Sequence, residues 1–377
     1  MTHPADSVLA ALTQALAANA ERFDRSAEFP QANFDLLHRH GLLGLVTPTV
    51  LGGGGADLVQ ARRIVSAVAQ GDPATALILV MQYLQHERLQ HDPRWPEHLR
   101  LRVAEDAVRS GALINALRVE PDLGSPARGG LPATVARRTA DGWRLNGRKR
   151  YCTGSHGLSW LLVWARSDDA DPLVGGFLVH RDTPGIRIVE DWDHLGMRAT
   201  CSHEMRFDDV LIPLDHAVGV SPASAPLPAL DERAQLWMAV LLPSVYDGVA
   251  RAARDWLVGF LHERAPSNLG TPLASLPRFQ DVLGRIDTLL FANQSLLDSA
   301  AAGHTAAAHA GQLKQLVSAQ AIEAVTLAVE AAGNPGLSRQ QALERHYRNV
   351  LCARIHTPQD DVVFNQAGRR ALAREVA

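Results

Sequence analysis

Val119-Glu120-Pro121-Asp122-Leu123-Gly124-Ser125, then Asp141-Gly142-Trp143-Arg144-Leu145-Asn146-Gly147-Arg148-Lys149, then Tyr151-Cys152-Thr153, follow one another in the middle of the chain. Taken singly, Pro121 to Ser125 reads as an ordinary turn and the run ending at Lys149 as an ordinary strand. What surrounds them says more. From about Leu113 to Pro222, short apolar runs are bounded by Gly, Pro and Asp pairs: Trp160-Leu161-Leu162-Val163-Trp164, Val174 to Val179 and Glu204 to Ile212. These predict consecutive strands of an antiparallel sheet or barrel. No segment between them is long enough for the crossover helix that a parallel sheet requires.

On either side the pattern is helical. Leu58, Ala61, Ile64, Val65 and Val68 recur at helical spacing within Asp57 to Gly71, with Gly71 placed to cap the C-terminus. Gly52 to Gly55 lack both G-x-G-x-x-G and a following Gly-Lys-Ser/Thr, so they read as a flexible turn and not a phosphate cradle. Beyond Ser221 to Pro228, a Pro-, Ala- and Ser-rich linker, a broad apolar stripe (Leu316, Val317, Ile322, Val325, Ala328, Val329, Ala332) marks a long helix over Leu313 to Gly333, and Pro335 stops the next. The expectation is an α+β multidomain chain. Residues 1–112 form a helical domain, 113–222 an antiparallel β-barrel or sandwich domain, and 223–377 a four-helix-bundle-type domain.

Composition agrees with that size. At 377 residues the chain is too long for one core, and 46% hydrophobic with 20% charged residues is the usage of a globular protein. A net charge of −3 gives no support for a nucleic-acid partner. The longest apolar runs, such as Ala76 to Met81, fall far short of the roughly 20 residues that span a bilayer. Asp6, Glu21 and Asp24 interrupt any signal-peptide layout, and three scattered cysteines fit a reducing, cytoplasmic setting with neither disulfides nor a zinc site. His86-Glu87-Arg88-Leu89-Gln90-His91 has one residue too many for a His-Glu-x-x-His metal motif. On a helix those two histidines lie about 140° apart, so no metal is expected.

In their order, the opening motifs resemble the middle domain of the acyl-CoA dehydrogenase superfamily: a Glu-Pro-x-x-Gly-Ser loop, a Leu-Asn-Gly-x-Lys strand and an aromatic-x-Thr contact. Leu195-Gly196-Met197-Arg198 and Phe207-Asp208-Asp209-Val210-Leu211-Ile212-Pro213 extend the likeness. The helix–strand–helix order of the whole chain matches that family too. The resemblance implies bound FAD, with FMN possible. The flavin would be contacted by Val119, Glu120, Gly124, Ser125, Tyr151, Cys152 and Thr153, with Tyr151 packing on the ring and Thr153 bonding near N5. Val119 stands where the family usually has Thr. Arg264 stands for an Arg-x-x-Phe-Gly element that reaches a neighbour's cofactor, although here Leu269-Gly270 replaces Phe-Gly at altered spacing.

By family default the reaction is α,β-dehydrogenation of an acyl thioester, with electrons passing to an electron-transfer flavoprotein. The usual Glu is missing. Thr357 occupies its position after the Arg345-His346-Tyr347-Arg348-Asn349 helix, and Met238 occupies the alternative one. The His356-Thr357-Pro358-Gln359-Asp360 loop also resembles flavin-dependent monooxygenases of the same fold, which take reduced flavin from a separate reductase, although their His-Thr-x-His-Asp has Gln359 here. A catalytically silent relative is the third reading. His356, Asp360 and His86 are the candidate catalytic groups, and a homodimer or homotetramer is implied.

Overall fold

The computed structural model describes residues 5–122, 130–225 and 231–373. Five helices come first: α1 (Asp6–Ser26), α2 (Gln31–Arg39), α3 (Leu58–Gly71), α4 (Pro73–His91) and α5 (Glu97–Ser110). α3 starts where predicted, because the Asp57 side chain accepts from Gln60 N while Gln60 reaches back to Asp57 N. Gly71 does not cap it. It is the last helical residue, and a Cβ there would sit 2.6 Å from Thr13 O, so glycine allows α1 to approach closely. Asp72 follows in extended conformation, and its carboxylate accepts from Thr75 N to start α4. The first half of α4 is buried on all sides, as its apolar run Ala76 to Met81 requires, and in its polar second half Gln82, Tyr83, His86, Glu87 and Leu89 still turn inward. The run Gly52 to Gly55 is packed, not flexible. A Cβ on Gly53 would come within 2.2 Å of Thr47 O, and Gly54 N and Gly55 N bond to Gly44 O and Thr47 O.

The strands are β1 (Leu113–Leu117), β2 (Val135–Thr139), β3 (Gly142–Lys149), β4 (Leu158–Ser167), β5 (Leu173–His180), β6 (Ile186–Val189), β7 (Glu204–Ile212) and β8 (Ala217–Pro222). Among the described residues they form one sheet in the order β6-β7-β3-β2-β4-β5-β8, with β1 beside β4. Most pairings are antiparallel, as expected. Two are not: β1 and β2 each run parallel to β4. The expectation failed because it required a helical crossover; here the β2–β3 hairpin itself carries the chain across from β1 to β4.

After β8 come α6 (Glu232–Glu263), α7 (Pro277–Ala301), α8 (Ala310–Ala332), α9 (Ala342–Leu351) and α10 (Asp360–Leu372). α6 packs against α7, α8 and α9 and also against α3 and α4 of the N-terminal helices. One continuous apolar cluster therefore links the helical and sheet regions from Leu16 through Leu161 to Val325, with three smaller clusters beside it, so the chain has more than one core, as its length requires. No helix among the described residues is long and apolar enough to cross a membrane.

Candidate active site

Where β3 ends, the backbone turns sharply. Arg150 N bonds to Val119 O, Tyr151 takes a left-handed conformation (φ 55°), and Thr153 N bonds back to Tyr151 O. Beneath the turn, Lys149 Nζ lies 2.5 Å from Glu120 Oε1, with both side chains almost wholly buried. Glu120 also accepts from Ala133 N (2.6 Å), Thr134 N (2.9 Å) and Thr134 Oγ1 (2.6 Å). Burial alone would push the Glu120 carboxyl up, but the bonds from Lys149, Thr134 and Ala133 hold it below its usual range. Glu120 thus anchors the start of its loop from inside, and its carboxylate has no face left for a ligand. Cys152 is likewise turned inward, its thiol donating to Lys149 O at 3.3 Å and pushed up by burial. Val119 is half-buried. Gly124 and Ser125 lie outside the described residues.

Around this turn stands a ring of aromatic and hydroxyl groups. Tyr151 is 48% exposed and meets Trp192 and His194 edge-on, and those two rings stack at 3.6 Å. His194 Nδ1 is buried with no hydrogen-bond partner among the described residues. Thr153 Oγ1 lies 3.1 Å from Ser202 Oγ, which lies 2.9 Å from Thr200 Oγ1, which donates to Met197 O at 2.8 Å. α9 locks this loop. Asn349 Oδ1 accepts from Met197 N at 2.7 Å, and Arg348 donates to Leu195 O while pairing with Asp24 and Glu344. The Leu195–Arg198 motif and the Arg345–Asn349 helix, far apart in sequence, are thereby joined.

Beyond α9 the chain reaches His356, whose Nε2 shares a short hydrogen bond with the hydroxyl of buried Tyr246 on α6. Lys314, buried on α8, donates to His356 O (2.8 Å) and Pro358 O (3.1 Å), so one ammonium fixes the whole loop. Burial and that nearby charge pull His356 down to about 4, while burial pushes Tyr246 well up. The pair is therefore uncharged at neutral pH. Thr357 is half-buried beside it, and Asp360 is exposed at the first turn of α10. Met238 is half-buried on α6.

His86 stands apart from these groups. Its Nε2 accepts from Gln82 Nε2 (3.0 Å) and its Nδ1 faces Thr47 (3.4 Å), deep in the helical core, where burial lowers it to about 4. Arg264 is exposed just past the end of α6. The buried carboxylates among the described residues (Asp72, Glu87, Glu120, Glu204, Asp247) are all engaged, by Asn33 and Thr75, Arg233, Lys149, Arg206, and Arg251 with Asn293. None of them bonds to Thr153, Tyr246 or His356. The sequence reading missed Tyr246, Lys314, Thr200 and Ser202. Lys314 had a signal, a lysine set in an apolar stripe. The others had none: Tyr246 meets a partner 110 residues away, Ser202 one 49 residues away, and Thr200 bonds within its own loop.

The structure also gathers His156, Cys201 and His203, whose ligand-type atoms lie within 4.8 Å of one another, a trio that cysteine spacing could not show. His203 Nδ1 accepts from Trp192 N at 3.0 Å, so in the neutral ring the proton sits on Nε2 and no ring lone pair remains free. The Cys201 thiol is pushed up to about 12 by burial and by Glu190 and Glu28, which disfavours the thiolate a metal needs.

Three histidines whose pKa burial lowers, two of them buried and His356 half-buried, contribute to the acid stability. His86, His346 and His356 sit at about 4, 3 and 4 in the fold, against 6.5 ordinarily. Between those values the unfolded chain binds more protons, so stability is complete above about pH 6.5 and falls as pH drops toward 4. Each histidine adds up to about 1.4 kcal/mol per pH unit of slope. Urea midpoints should fall steeply from pH 7 to pH 4.5, and His86→Gln should flatten the fall. A midpoint constant across that window would mean that these rings titrate normally.

A flat aromatic group with a polar edge would find here an aromatic wall (Tyr151, Trp192), a half-exposed hydroxyl (Thr153) and a buried ring nitrogen without a partner (His194). The residues present thus fit a flavin. Comparisons bear on the family. The acyl-CoA dehydrogenase N-terminal, middle and C-terminal domains match residues 4–87, 118–210 and 242–360. A Bacillus subtilis (strain 168) protein, "Putative acyl-CoA dehydrogenase YdbM", is 32% identical over 93% of this chain and 91% of its own length. The chain belongs to the acyl-CoA dehydrogenase superfamily. Other members are oxidoreductases of a different kind. L-evernosamine nitrososynthase of a Micromonospora species is 29% identical over 78% of this chain and 68% of its own. The X-ray structure of KijD3 in complex with FMN and a dTDP-3-amino-4-keto sugar superimposes with a TM-score of 0.83, at 27% identity over 100% of this chain and 96% of that one.

Proposed function

We propose that this superfamily member is an oxygenase that takes reduced flavin, FMN or FAD, from a separate reductase and oxygenates a small organic molecule such as an amine. The observation that carries the reading is the neutral Tyr246–His356 pair, set next to Thr357 where thioester dehydrogenation calls for a carboxylate. The sequence likeness to nitrososynthases supports it, as does the likeness to KijD3, solved with FMN and an amino-sugar nucleotide. Tyr151, Thr153 and His194 would hold the flavin, which when bound supplies the two electrons that activate dioxygen. Tyr246 and His356 offer a donor and an acceptor that stay uncharged, and Lys314 keeps their loop in place. Overall, substrate, dioxygen and two reducing equivalents with two protons give oxygenated substrate and water. The assembly is read as a homodimer or homotetramer, which would cover exposed Phe291, Leu337 and Phe364.

The test supplies FMN, a flavin reductase and NADH under ¹⁸O₂ to the chain with a panel of amines, amino-sugar nucleotides among them. Substrate-dependent ¹⁸O in product is the expected result; no incorporation with any panel member while acyl-CoAs are oxidised would overturn it. Thioester dehydrogenation is the second reading, favoured by the B. subtilis relative, with electron-transfer flavoprotein as partner and Asp360 as base after a shift of its loop.

A further inference from the structure

We propose that Thr153, Ser202 and Thr200 form a one-way hydroxyl chain that makes the site select reduced over oxidised flavin. This rests on the flavin reading above and deepens it, assigning Thr200 and Ser202 a positioning role and the pocket a preferred redox state.

The direction follows from counting protons, since each hydroxyl has one to give. Thr200 Oγ1 lies 2.8 Å from Met197 O, which can only accept, so the Thr200 proton is committed there. Ser202 Oγ lies 2.9 Å from Thr200 Oγ1; two oxygens so close repel unless a proton lies between them, and only Ser202 has one left. The same step across 3.1 Å makes Thr153 the donor to Ser202. The chain's origin is fixed, because Met197 O also accepts from Thr200 N (3.0 Å) and Trp192 Nε1 (3.3 Å), while Met197 N is held by Asn349. Thr153 itself is pinned by Asn115, which donates to its carbonyl at 3.0 Å.

Thr153 is half-exposed, and with its proton committed to Ser202 its Oγ1 has only lone pairs to offer a ligand. An oxidised flavin offers a lone pair at N5, where two acceptors would face each other. A reduced flavin bound with N5 toward Thr153, as the family resemblance implies, would offer an N–H that Thr153 would accept. One hydrogen bond made in one state and forfeited in the other corresponds to roughly tenfold in affinity.

Anaerobic titration of the full chain with oxidised FMN and with dithionite-reduced FMN reads this directly. Wild type should bind reduced FMN about tenfold more tightly or better. Ser202→Ala frees the Thr153 proton to meet an oxidised N5, so the ratio should fall below about threefold, mainly through gained affinity for oxidised FMN. Ser202→Thr should restore it, a recovery that a purely structural role for Ser202 would not give. Equal wild-type affinities, or an unchanged ratio in Ser202→Ala, would overturn the hydroxyl chain and leave the flavin reading intact. Binding of neither redox state would overturn both.

Discussion

Lys149→Met should lower the free energy of unfolding by about 3–5 kcal/mol, because it leaves the buried Glu120 carboxylate without its countercharge. Both side chains are out of water, at 0% and 3% exposure, and the contact is 2.5 Å. The carboxylate cannot escape by taking a proton cheaply, since two backbone N–H groups and the Thr134 hydroxyl are aimed at its ionised form. Urea unfolding with circular dichroism gives the number. Glu120→Gln combined with Lys149→Met should cost less than the sum of the single changes, because the stranded charge is gone. A single-variant cost below about 1 kcal/mol would place the pair in water and remove the argument. Flavin titration of the variant adds a second readout, since β3 and the Tyr151 turn both depend on this anchor.

The second large effect is catalytic. With flavin and an artificial electron acceptor, turnover of straight-chain acyl-CoAs should lie at least about a hundredfold below the roughly 10 per second of an ordinary enzyme. The α-proton of a thioester is weakly acidic, and base assistance typically contributes 10²–10⁴-fold. By the family resemblance Thr357 and Met238 stand at the two positions where a carboxylate is expected, and the buried carboxylates among the described residues are all engaged by cations, amides or hydroxyls. Thr357→Glu should raise the rate. Normal turnover by wild type would shift the assignment to Asp360, tested as Asp360→Asn.

The strands Trp160–Trp164 and Glu204–Ile212 were legible because period and boundary residues are local properties, and each strand appears where its pattern lies. The ordered motifs made the family legible for the same reason. The parallel β1–β4 pairing was not, since it joins residues more than 40 apart through an intervening hairpin. His86 and Glu120 show a second limit. Residue type marked both as chemically able, yet only burial and partners show one closed in the helical core and the other serving as an internal anchor. Tyr246 and Ser202 gave no sign at all, because a hydroxyl acquires a role only from the atom it faces.

Arg348 joins Asp24 near the chain's beginning to Leu195 in its middle. Synthesis runs from the N-terminus, so helices and sheet can assemble on the ribosome while the loop bearing Trp192, His194 and Met197 still lacks its clasp. Only when Arg348 has emerged can that loop close. A chain cut short just before this arginine would keep most of the helices and strands described and lack the clasp on the pocket loop.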